Sequence, residues 1–358
     1  MHMADALISP AVGLTMWGAA AATIAYCSKK IQSEADTTIV SLMGVLGAFI
    51  FAAQMVNFTI PVTGSSGHLG GGMILAVLLG PYAAFLTIAS VLVVQALFFA
   101  DGGLLALGCN IFNLGFFPAF IAYPLIYKKI VCRAPTPAKI SIASMIAATV
   151  GLQLGAFAVV IETVLSGISA LPFTTFAAFM QPIHLAIGIV EGVATASVIS
   201  FLYTAKPEIL QSAMEGRSVG AYPIRNIRLG FMTVAVITGG FFSWFASEHP
   251  DGREWAITKM TGQEQLKSEE QGLHGALGSL QNKLAFLPNY SFKTADEAKP
   301  AEKAAEPITE RKRYTGEKKG EGSKLGTSVS GIAGGIITLT LCFLIGFVLK
   351  RRRHPYTT

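Results

Sequence analysis

The chain has 358 residues, 52% of them hydrophobic and only 13% charged, with a mean hydropathy of +0.55. Soluble domains carry about a quarter charged residues, so these figures exclude a soluble enzyme or binding module and indicate an all-α polytopic membrane protein. The formal net charge of +6 invites a nucleic-acid reading, which the placement of the charges removes below.

The N-terminus reads MHMADALISP, with no basic n-region, apolar signal core or small-residue cleavage site. Met1 is therefore expected to stay as a free N-terminus, because His2 is too bulky behind it for methionine removal. Together Met1 and His2 offer a metal three nitrogens: the terminal amine, the His2 amide and His2 Nδ1. Amine and amide close a five-membered ring, and amide and imidazole a six-membered one. Three coplanar nitrogens leave one corner open, a set that suits Ni(II) or Cu(II), whereas Zn(II) prefers a tetrahedron. Binding would release protons, including the amide's, so affinity falls at low pH.

Apolar runs follow near 11–27, 39–58, 69–80, 82–100, 104–127, 139–162, 180–205, 229–246 and 328–349. Most match the roughly 20 residues a membrane-crossing helix needs, and the short 69–80 run predicts a half-depth helix. Counting it gives nine segments. On the first of them Gly18/Ala22 and Ala21/Ala25 recur four apart, a spacing that allows close helix packing.

Between the second and third runs lies NFTIPVTGSSGHLGGG, Asn57 to Gly72. Pro61 and its glycines disfavour a helix and permit a re-entrant loop that presents His68. A loop histidine alone mostly meets solvent. Here it shares a side of the membrane with His2, and becomes the candidate for the open corner. Asn57, Thr63, Ser65 and Ser66 are candidates to position it. Further along, Asp101 in ADGG reads as a helix-end cap or turn residue. His184 and Glu191, seven apart, share one helix face and read as a buried hydrogen-bonded pair or an intramembrane functional site.

With the N-terminus outside, Lys29, Lys30, Lys128, Lys129, Arg133, Lys139, Lys206, Arg217, Arg225, Arg228 and Lys350–Arg353 all fall on the cytoplasmic side. The basic excess is topology, and no nucleic-acid partner is expected. The remaining long polar stretch, 247–327, carries 13 basic and 13 acidic residues. It is read as an external loop whose second half has the composition of a disordered tether. Its His249 and His274 are expected to be solvated.

The division expected is a metal-binding seven-segment domain over 1–206, a cytoplasmic linker over 207–228 and a two-helix module over 229–358. No GxxxxGK[ST] stretch occurs, so any ATP-driven step belongs to separate subunits. The four cysteines stand singly, with no CxxC pair.

Four stretches carry a family resemblance: MHMADALISP, GSSGHLGGG, DGGLLALGCNIFNLG (101–115) and LSGISALPF with QPIHLAIGIVEG (165–192). Over about 1–205 the chain resembles the nickel/cobalt substrate-binding component of energy-coupling-factor transporters, the CbiM/NikM type. The resemblance implies an N-terminal segment inserted into the bundle from outside, with metal held by Met1, His2 and His68. It also implies an energy-coupling transmembrane subunit and two ATPase subunits as partners. The C-terminal module resembles the small CbiN/NikN-type partner, with HPDGREW (249–255) in place of a Pro-Asp-Gly-Leu-Glu signature and Arg253 where that signature has leucine.

The function expected is capture of Ni2+ or Co2+, nickel favoured, at the outer face of a bacterial cytoplasmic membrane, and delivery inward to the side of the C-terminus. Two other readings stay open. One is an intramembrane metalloenzyme using His184 and Glu191, which lacks an HExxH motif. The other is a membrane metal sensor.

Overall fold

The computed structural model describes residues 2–34, 37–131, 135–208, 210–211, 224–263, 266, 271–292 and 321–351. Its helices are α1 (Pro10–Glu34), α2 (Thr37–Gln54), α3 (Gly72–Leu79), α4 (Pro81–Phe99), α5 (Leu107–Val131), α6 (Pro137–Ser166), α7 (Phe173–Ala205), α8 (Arg225–Gly240), α9 (Gly252–Thr261), α10 (Gly272–Leu284) and α11 (Glu321–Arg351). Among the described residues six helices are long and apolar enough to cross a membrane, and Thr38–Gln54 forms a shorter apolar helix. The protein is an all-α polytopic membrane protein.

Local chemistry sets the boundaries. Pro81 and Pro137 sit in the first turns of α4 and α6, where the missing N–H is harmless. Thr136 Oγ1 accepts from Lys139 N at 3.2 Å to cap α6, which stops at the left-handed Gly167. Inside α5 the stretch Phe112–Tyr127 runs in the wide π register and holds Pro118 and Pro124. Each proline removes a backbone donor, and a wider turn accommodates the gap. The fully buried α3 breaks from α4 at Gly80 (φ 76°) and Pro81, as the short 69–80 run predicts.

The C-terminal helices are built into the bundle. α8 and α11 pack chiefly on α2, and glycines set the approach. A Cβ on Gly334 would overlap the Phe51 ring. One on Gly44 would come 3.1 Å from the Leu339 carbonyl, and one on Gly47 3.0 Å from Cys342 Sγ. Small residues permit such backbone contact between membrane helices.

Two stretches differ from the sequence reading. The run 229–246 forms α8, 16 residues long from Arg225, then a 3-10 turn over Phe242–Phe245. At 1.5 Å per residue it rises about 24 Å, short of a bilayer's roughly 30 Å. The polar stretch from 247 contains α9 and α10, whereas its tether-like part, 293–320, lies outside the described residues. α9 forms because Asp251 and Glu254 make a reciprocal capping box.

Candidate metal centre

Residues 2–9 run into the bundle rather than along its surface. His2 is 4% exposed and Met3 and Ile8 are fully buried. Backbone chemistry holds them there. Met3 N–H donates to Asn110 Oδ1 at 2.7 Å, and Met3 O accepts from Gly103 N at 2.9 Å. Asp5 Oδ1 accepts from Ala106 N at 2.9 Å. The 101–110 stretch is glycine-rich for steric reasons. A Cβ on Gly103 would collide with the Asp5 carboxylate, and one on Gly108 would stand 2.5 Å from Trp17 N.

His68 arrives on a different support. Strands β1 (Phe58–Ile60) and β2 (Ser65–Gly67) pair antiparallel, with Thr59 opposite Ser66. Gly67 lies flat on Ile187, leaving 2.5 Å for any Cβ, and Gly71 takes φ 76°. Glu191 accepts from Gly70 N at 3.1 Å and Gly71 N at 3.0 Å, and Gln54 Nε2 donates to Gly70 O at 2.8 Å. His68 Nδ1–H donates to Leu69 O at 3.0 Å, which leaves Nε2 with the lone pair.

The two histidine rings meet face to face, with centroids 5.1 Å apart and planes 9° from parallel. His2 Nε2 is buried without a hydrogen-bond partner, and His2 Nδ1 stands 3.2 Å from Asp101 Oδ1. Asp101 Oδ2 accepts from Tyr290 OH at 2.6 Å. Desolvation of the half-buried His68 pushes its pKa down to about 3, so it stays neutral. Burial opposes the charge of Asp101, but the His2 imidazole and the His2 and Tyr290 hydrogen bonds outweigh it and hold the carboxyl well below the usual range. Burial and the facing carboxylate raise Tyr290 well above an ordinary phenol, which keeps it a donor.

Several sequence expectations need correcting here. Asp101 is the helix-end turn residue expected, its N–H donating to Gln95 O at 3.1 Å behind the left-handed Ala100, but its carboxylate does more and binds His2 and Tyr290. His274 is not solvated but 5% exposed, and Nε2–H donates to Ile8 O at 2.8 Å. His184 and Glu191 are both buried on one face of α7 but are not bonded to each other. Seven residues separate them by about 10 Å along the axis, too far for a bond. The His249 side chain is exposed, as expected. Met1, the expected source of the amine, lies outside the described residues, among which no cluster of three or more His, Cys, Asp or Glu stands ready to hold a metal.

Asn57, Thr63 and Ser66 meet the C-terminal module rather than the His68 ring, and Ser65 bonds to Thr63. Asn57 O accepts from Ser247 N and Ser66 N donates to Pro250 O, each at 2.8 Å. Ser66 Oγ donates to His249 O at 2.7 Å, while Thr63 Oγ1 pairs with Ser65 Oγ and Thr63 O accepts from Trp255 Nε1 at 2.9 Å. The residues that sequence reasoning missed, Tyr290, Gln54 and Asn110, act across 100 residues or on backbone atoms. What marks Tyr290 is structural: Asn289 and Tyr290 both take left-handed φ (50° and 58°), costing about 1 kcal/mol each, where no glycine relieves it.

A profile of the family described as the cobalt uptake substrate-specific transmembrane region (CbiM) matches residues 2–209, and one of the PDGLE domain matches residues 225–351. The chain is 35% identical over 218 residues to a putative fused nickel transport protein NikMN of Archaeoglobus fulgidus, covering 61% of this chain and 70% of that one. It is 29% identical over 217 residues to the cobalt transport protein CbiM of Sorangium cellulosum, covering 59% and 94%. The crystal structure of a truncated transition metal transporter matches with a TM-score of 0.52 at 32% identity, covering 57% of this chain and 99% of that one.

These likenesses define a class: multi-pass membrane components of metal transport, not enzymes. Within it the chain belongs to the CbiM family, with a PDGLE domain fused behind the CbiM region.

Proposed function

We propose that this chain captures Ni2+ or Co2+, nickel favoured, as the substrate-binding component of an energy-coupling-factor ABC transporter. The metal-binding domain spans 1–206, 207–228 is a cytoplasmic linker, and 229–358 is the fused module. The N-terminus faces outward and the C-terminus the cytoplasm of a bacterial inner membrane. A transmembrane coupling subunit and two ATPase subunits supply the energy, consistent with the missing phosphate-binding loop.

The observation that carries the reading is the meeting of His2 and His68, 66 residues apart in sequence, with rings 5.1 Å apart on independently anchored segments. The Met1 amine, the His2 amide and His2 Nδ1 take three corners of the metal's square, and His68 Nε2 takes the fourth. Before loading, Nδ1 faces Asp101. The ion displaces that contact and the His2 amide proton, and Asp101 keeps Tyr290. Four nitrogens in a plane favour nickel.

Radiolabelled nickel uptake in cells with and without the partner subunits tests this reading. Uptake that needs the partners and collapses in His68→Ala supports it. Uptake without them, or at the wild-type rate in His68→Ala, overturns it, and binding without any uptake would favour a sensor instead.

A further inference from the structure

Beside the two stacked histidines lies a cavity of about 10 Å3, room for one water-sized species. His68, His184 and Asp251 form its polar wall, and Leu114, Leu152 and Ile187 its apolar one. His184 is 1% exposed. Its Nδ1–H donates to Met180 O at 2.8 Å, which fixes the tautomer and leaves the lone pair on Nε2. That Nε2 is buried and has no hydrogen-bond partner. Folded proteins rarely leave such an atom orphaned without a reason. An imidazole with one nitrogen tied to a carbonyl and the other bare is the arrangement metal-ligating histidines adopt.

Asp251 comes from the fused module. Its Oδ1 accepts from Glu254 N at 2.7 Å, and Arg253 Nε stands 3.9 Å away, so the carboxylate is fixed in place. Gly252 lets this backbone lie against the imidazole: a Cβ there would come 3.2 Å from His184 Cε1. A lone pair and a carboxylate facing a water-sized space form half of a cation site.

We propose that His184 Nε2 and the Asp251 carboxylate, with His68 as a donor shared with the N-terminal chelate, form a transfer site for the transported divalent metal. This rests on the capture reading above. Among the described residues no three such groups stand ready to hold a metal, so the site closes only when His68 turns from His2 toward His184. The step is a ligand exchange without redox change. The ion keeps His68, leaves the Met1 amine, the His2 amide nitrogen and His2 Nδ1, and gains the His184 imidazole and the Asp251 carboxylate, while the amide takes back the solvent proton that it released on loading. The fused module thereby supplies a ligand.

The test uses the full chain with its partner subunits. Purified His184→Ala keeps stoichiometric binding of radiolabelled nickel, while cellular uptake falls by about tenfold or more, the usual scale for a lost ligand. Asp251→Asn behaves the same way. Retained binding shows that the variants fold. As a second readout, His184→Cys loaded with Co2+ gains a thiolate-to-cobalt charge-transfer band absent from the wild type. Wild-type uptake in His184→Ala, or no new band in His184→Cys, overturns the transfer site while leaving capture intact. Failure of the capture reading looks different, because nickel binding is then indifferent to His68→Ala.

Discussion

Tyr290→Phe removes one hydroxyl and leaves its ring stacked on Phe99, whose centroid is 5.1 Å away. In the empty site Asp101 has two partners, His2 Nδ1 at 3.2 Å and Tyr290 OH at 2.6 Å. Loading moves His2 Nδ1 onto the metal, so among the described side chains the loaded site depends on Tyr290 to satisfy a partly buried carboxylate. A hydrogen bond to a charged group contributes about 1.5–3 kcal/mol, and losing it costs most where no other partner remains. At about 1.4 kcal/mol per tenfold, nickel binding in Tyr290→Phe weakens by up to roughly 150-fold. The empty protein loses less stability, because His2 still holds Asp101. Equilibrium binding of radiolabelled nickel to the purified full chain measures the first effect and thermal unfolding the second. A wild-type nickel affinity in Tyr290→Phe would refute the role given to Asp101.

Glu191→Ala strands the Gly70 and Gly71 N–H groups, at about 1–3 kcal/mol each; thermal unfolding should show the loss and Glu191→Gln should recover part of it. Gly334→Leu drives a side chain into Phe51 and should cost about 1–3 kcal/mol by overpacking, read as a lower unfolding temperature of the whole chain. His68 has its folded pKa pushed to about 3, against about 6.5 when unfolded. The unfolded chain therefore binds the extra proton between those values, and stability drops as pH falls through that window. His68→Gln should flatten that part of the stability–pH curve in chemical denaturation.

The helices were legible because membrane-crossing segments advertise themselves as long apolar runs. The meeting of His2 and His68 was also legible, because chelate chemistry and a glycine-rich loop each pointed to it. Asp101 was not. Its carboxylate serves residues 99 positions before it and 189 after, and nothing in ADGG marks such distant partners. Glu191 was misread for a related reason: helical spacing put it on the face of His184, but its partners are backbone N–H groups of the 70–71 loop, which no side-chain pattern reveals. His274 looked solvated because it falls in the long polar stretch 247–327, yet α10 turns it onto Ile8 O. Run 229–246 was overextended, since hydropathy continues through Phe242–Phe245 where the helix does not.

The most direct measurement replaces His2 by glutamine and follows nickel binding to the purified full chain. His2→Gln removes the imidazole corner and its six-membered ring, while glutamine is bulky enough behind Met1 to keep the methionine, so the terminal amine stays where it was. The account predicts that stoichiometric nickel binding disappears. An unchanged affinity would contradict it and move the metal away from the N-terminus.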